Sequence, residues 1–140
     1  MLPGMKRLAL LVLVAATACS GSSSKGAADK PCTDLPTADP AAVMPTGLPP
    51  IAGQVLYEPS VQGKTHIVFG LLKTTDFVKV RDGYVDLLKG AGWKIDGTDQ
   101  ESVEAEAQFS KSPPLQAGTV KIAPLDTCTG YVTVRYKLNE

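Results

Sequence analysis

The stretch Thr74 to Gly92 (TTDFVKVRDGYVDLLKGAG) carries the one clear helical period in this 140-residue chain. Phe77, Val80, Tyr84, Leu87, Leu88 and Ala91 recur at three- and four-residue steps and make one apolar face, while Lys79, Arg81, Asp82, Asp86 and Lys89 fall mostly on the other. Thr75 or Asp76 can cap the first turn. Gly90 and Gly92 are natural stops, with Trp93 beyond them to fold back on the last turn. Gly83 inside the pattern costs about 1 kcal/mol relative to Ala. A lone amphipathic helix must bury its stripe against another layer, and the rest of the chain offers strands.

Gly53 to Tyr57 reads as a short first strand, with a turn from Glu58-Pro59-Ser60 to Gly63-Lys64. His66 to Lys73 (HIVFGLLK) is nearly continuous in its apolar residues, which predicts burial on both faces or a central position. Trp93 to Asp96 begins a third strand, and Asp96-Gly97-Thr98-Asp99 reads as a turn. Glu104 to Ser110 alternates, Ala105, Ala107 and Phe109 one way and Glu104, Glu106 and Gln108 the other. A loop from Pro113-Pro114 to Gly118 leads to Thr119–Ala123 and then Tyr131–Leu138, an alternating pair around a Leu125–Gly130 turn that carries Cys128. The order β-β-α-β-β-β-β predicts an α+β fold: an antiparallel sheet with the helix on one face and the other face partly open.

Before this domain, assigned to residues 51–140, the chain is irregular. Residues 31–50 hold six prolines, which exclude regular helix and central strand and predict an extended arm laid over the surface. Residues 19–30 are mostly Ser, Gly and Ala, the composition of a flexible tether. Residues 1–18 have the layout of an export signal: Met5-Lys6-Arg7, the apolar run Leu8–Ala15, then Ala16-Thr17-Ala18. The run is shorter than the roughly 20 residues of a permanent span. With Cys19 directly after it, the segment resembles a bacterial lipoprotein lipobox, with Ala16 where Leu is usual. The resemblance implies removal of residues 1–18 and diacylation of Cys19. The protein would then sit on the cell membrane or outer membrane, facing the extracytoplasmic side, with the membrane its partner through the N-terminal lipid. The plan of strand, helix ending in Ala91-Gly92-Trp93 and meander is similar to small exported lipoprotein domains of unknown function, a resemblance that carries no site.

With Cys19 assigned to lipid, Cys32 and Cys128 remain, and one pair in an exported chain reads as a disulfide. Two free buried thiols and a pairing between chains are the alternatives. Two Cys and one distant His do not make a closed zinc site.

Without residues 1–18, which hold Lys6 and Arg7, 12 basic and 14 acidic residues remain, a formal charge of −2. Such a chain is no partner for nucleic acid, whose binders carry a basic stripe, nor is it drawn electrostatically to an anionic membrane. His66, the one histidine, lacks a G-x-S-x-G elbow or a second His, and reads as a strand-end residue rather than a catalytic base. Asp96, Asp99, Glu101, Glu104 and Glu106 make an acidic run whose spacing does not match an EF-hand; a solvated hairpin explains it better than Ca²⁺. Trp93, Tyr131, Tyr136 and Tyr84 could line a groove, but ordinary core and rim is the stronger reading. No Walker or Rossmann loop is present. The expectation is therefore a non-catalytic binding or accessory module of the envelope without cofactor or metal, meeting an envelope protein or cell-wall partner through the open sheet face or its edge, or serving as a structural subunit of an envelope complex. The rival is a small envelope hydrolase or transferase with an unrecognised site. A cleft holding His66 beside a Ser or carboxylate would favour the rival, and an exposed apolar patch on the sheet would favour binding.

Overall fold

The structure, a computed structural model, describes residues 32–140. The leader, Cys19 and the tether lie outside the described residues. The elements are β1 (Val55–Gln62), β2 (Thr65–Leu72), α1 (Phe77–Gly90), β3 (Lys94–Gln100), β4 (Ala105–Lys111), β5 (Gln116–Pro124) and β6 (Val132–Asn139). They form an α+β fold with an open six-stranded sheet in the order β1-β2-β6-β5-β4-β3, antiparallel at every neighbouring pair. The connection through α1 carries the chain from β2 to the far edge at β3, and the later strands meander back until β6 pairs with β2.

Asp76 caps α1 by accepting from the Lys79 amide at 2.9 Å. At the other end Gly92 takes φ +82, and the Trp93 amide returns to the Leu88 carbonyl at 2.9 Å, satisfying carbonyls the helix leaves open. Tyr84, Val85 and Leu88 enter one buried cluster with Ala107, Phe109, Val120, Ile122, Val132, Val134, Tyr136 and Leu138 of the sheet. Tyr84 meets Tyr136 edge-on at 5.3 Å, and Trp93 meets Phe109 at 5.2 Å. The near-continuous run of β2 is buried on both sides, Val68 toward this cluster and Ile67 and Leu71 away from it.

The helix touches β3, β4 and β5. Six strands span about 24 Å at their usual spacing, whereas a helix is only about 10–12 Å across. The proline-rich arm supplies part of the missing cover. Leu48, 5 % exposed, belongs to the buried cluster, with Met44 and Ile51 packed against it. Trp93 Nε1 donates to the Gly47 carbonyl at 3.0 Å, and the Tyr136 hydroxyl donates to Gln54 Oε1. The arm is thus more than a surface layer: Pro45 and Leu48 in its second half are buried, and residues 51–54 just after it add Ile51 and Gln54 to the same side.

Two edge strands differ from expectation. β1 does not stop at Tyr57 but continues through Pro59 to Gln62, with its register shifting between Tyr57 and Ser60 and Glu58 at φ 48. Proline is tolerated there because an edge strand has one unpaired side and a bulge frees a donor. Likewise residues 96–99 are not a turn. β3 runs on to Gln100 with an irregularity between Ile95 and Gly97, and the reversal comes later, where the Glu101 amide meets the Glu104 carbonyl at 2.8 Å.

Candidate functional site

Because strand side chains alternate, the residues between the buried ones make the second face of the sheet. One level of that face crosses all six strands: Tyr57, Phe69, Arg135, Lys121, Glu106 and Asp99 stand side by side in register. The row reads aromatic, aromatic, cation, cation, anion, anion. The next level holds Ile67, Lys137, Thr119, Gln108 and Gly97.

At the aromatic end Tyr57 stacks on Phe69 at 5.6 Å, and its hydroxyl shares a hydrogen bond of 2.8 Å with Thr133 Oγ1. Burial pushes the Tyr57 pKa up, the Thr133 bond opposes the shift, and the Glu58 charge adds to it. Arm residues 33–40 line a groove of about 720 Å³ with Tyr57 and Glu58, and the Asp39 amide donates to the Leu56 carbonyl at 3.0 Å. In the middle, Lys121 Nζ lies 2.9 Å from Glu104 Oε1 and 4.0 Å from Glu106 Oε2. The Glu104 bond is the chief cause of a raised Lys121 pKa. Arg135 and Lys137, both half-buried, enter no ion pair among the described residues. Beside Lys137 a groove of about 230 Å³ is lined by Thr119, Gln108, Asn139 and Asp96, among others. Over the acidic end, shallow grooves of about 250 and 330 Å³ meet Asp99, Glu106 and Gln108.

The acidic run is divided among separate jobs. Asp96 pairs with Lys94 at 3.0 Å, and bonds from Ser110 and Lys94 hold its carboxyl below the usual range. Glu104 and Glu106 serve Lys121. Among the described residues no group of three or more His, Cys, Asp or Glu side chains is placed to hold a metal ion.

His66 Nε2 lies 3.6 Å from Glu140 Oε2, each side chain 39 % exposed. A cleft of about 230 Å³ includes both His66 and Ser60. Ser60 pairs with Ile67, however, and His66 with Val61, so the serine and imidazole leave opposite faces of the hairpin. Among the described hydrogen bonds none joins them, so these two residues do not stand as a nucleophile–base pair.

Three of the four aromatics considered for a groove are core: Trp93, Tyr84 and Tyr136 are at most 3 % exposed. Tyr131 is half-buried. The exposed large apolar residues, Val43, Val61, Leu87, Val103 and Leu115, are scattered rather than gathered on the second face. That face is charged, not greasy. Cys32 and Cys128 stand at disulfide distance, their Cα atoms 4.8 Å apart, which sets the start of the arm beside the β5–β6 turn.

No family model matches the chain, and no curated protein matches it significantly. The ordered row of charges went unread in the sequence because Phe69, Lys121 and Arg135 are far apart along the chain. Only strand order and register bring them together. The available signal was the pair Arg135 and Lys137, two cations sharing one face of a strand whose other face is wholly apolar.

Proposed function

We propose that this chain is a lipid-anchored, non-catalytic binding module of the cell envelope, held by acyl groups on Cys19 and closed by a Cys32–Cys128 disulfide. In this reading the helix and the second half of the arm take one face of the sheet, and the charged face meets an envelope partner. The observation that carries the reading is the row from Tyr57 to Asp99, whose charges are sorted by sign across the sheet. Sorted charge steers and orients a partner more than it adds affinity. The opposed directions of Ser60 and His66 support a binding role over the hydrolase alternative.

The test is a photo-crosslinking residue placed at Thr119, in the charged face, or at Asp86, on the exposed side of α1, in the full chain in its own envelope. Crosslinks from position 119 alone are expected. Equal crosslinking from both positions, or none from 119, rejects the reading.

A further inference from the structure

We infer that Arg135 and Lys137 form a receptor for a phosphate monoester whose apolar body lies against Phe69. The inference rests on the charged face being the binding surface, and it names the chemistry that face accepts.

The first argument is an arrangement that works against the sheet. Lys121 is the direct cross-strand partner of Arg135, and Lys137 follows Arg135 by two residues on the same face. Like charges directly opposite one another destabilise a strand pair. Glu104 and Glu106 both turn to Lys121. They leave Arg135 and Lys137 with no carboxylate within ion-pair distance among the described residues. A local rule broken without a compensating partner marks a functional position.

The second argument is charge and shape. Two uncompensated cations match a phosphate monoester, which carries about −1.5 to −2 at neutral pH. Arginine offers a planar fork for two phosphate oxygens, and lysine adds a point charge. Lys137 and its neighbour Thr119 line a groove beside Arg135's strand, where Thr119 brings a hydroxyl donor; Asp96 lines the far wall of the same groove and is paired with Lys94 at 3.0 Å. On the other side of β6 the cross-strand partners of Arg135 and Lys137 are Phe69 and Ile67. An anion bound between the cations therefore has the half-buried Phe69 ring to one side, with Ile67 buried next to it, and carboxylates to the other. The ligand it fits is an organic phosphate whose body is apolar, placed toward β2. The carboxylates at Glu106 and Asp99 disfavour a polyanion that extends the other way.

The experiment is calorimetric titration of the full chain in neutral detergent micelles at low salt, with phenyl phosphate, inorganic phosphate and the diester methyl phenyl phosphate. The monoester is expected to bind one site, more tightly than inorganic phosphate and than the singly charged diester. The double variant Arg135→Gln/Lys137→Gln should weaken it about tenfold or more, while Lys79→Gln/Lys89→Gln, both exposed on α1, leaves it unchanged. Phe69→Ala should remove the advantage of phenyl phosphate over inorganic phosphate and nothing else. Undiminished binding by the double variant, or a diester bound as tightly as the monoester, overturns the inference, as does no binding at all. Crosslinking from position 119 with no phosphate binding would leave the binding reading intact and reject this one.

Discussion

At the level of single residues, two glycines make opposite demands. A Cβ on Gly118 would lie 2.5 Å from the Lys137 carbonyl oxygen and 2.6 Å from the Phe109 ring, both fixed parts of the sheet core. Gly118→Ala should cost about 1–3 kcal/mol through overpacking. Gly83 lies on the exposed side of α1, where an added methyl group would meet nothing within 4 Å, so Gly83→Ala should stabilise by about 1 kcal/mol. Urea unfolding of both variants measures the two signs. Tyrosine sets a second residue-scale limit. Burial pushes the Tyr84 and Tyr136 phenols well above the ordinary value, and the neighbouring Tyr84 adds to the shift at Tyr136. An unfolded tyrosine ionises near pH 10. The folded state holds its phenols neutral, so this contribution is fully present below about pH 10 and is lost as the pH rises beyond it. The unfolding midpoint should fall steeply in alkali, and Tyr136→Phe should soften that fall. A midpoint flat from neutral pH to alkali would contradict the burial argument.

Among the elements, the arm is the one with divided loyalties. Its residues 42–50, together with residues 51–54 that follow it, are held by packing, through Leu48, the Trp93–Gly47 bond and the Tyr136–Gln54 bond. Residues 32–40 have mainly the Asp39–Leu56 bond and the cysteine pair. Closing a loop of sequence separation 96 is worth roughly 4–5 kcal/mol in the chain-entropy description. That is a large part of the 5–15 kcal/mol typical of a domain. Reduction, or Cys32→Ser with Cys128→Ser, should lower the melting temperature and speed amide exchange first over residues 32–40. Residues 42–54 should stay protected until global unfolding. If exchange rises uniformly from 32 to 54, the arm is held by the bond alone. Two thiols that alkylate in the untreated protein would show that the bond is not formed.

For the whole molecule, the proposed lipid attachment is the feature to test. Loss of residues 1–18 and acylation of Cys19 predict that the wild-type chain fractionates with membranes and carries added lipid mass, and that Cys19→Ser abolishes both. A membrane-bound Cys19→Ser chain, together with a wild-type mass free of lipid, rejects the anchor. Among the described residues no helix is long and apolar enough to cross a membrane.

The element order was legible in the sequence alone. Period-two alternation in β4 and β6 and the 3.6-residue stripe of α1 depend only on which side of an element is buried, a local property. The helix ends were legible too, because Asp76 and Gly92 act on backbone groups a few residues away. Edge-strand extent was not. The continuation of β1 through Pro59 and of β3 through Gly97 is decided by hydrogen bonds to β2 and β4, which outweigh the turn propensity of Pro, Gly and Asp. The core role of Leu48 was hidden for a similar reason: prolines forbid regular structure but do not forbid burial. The candidate surface belonged wholly to tertiary structure. Phe69, Arg135, Lys121 and Glu106 come from four strands, and register, which is set when whole faces are buried together, is what places their side chains in a row.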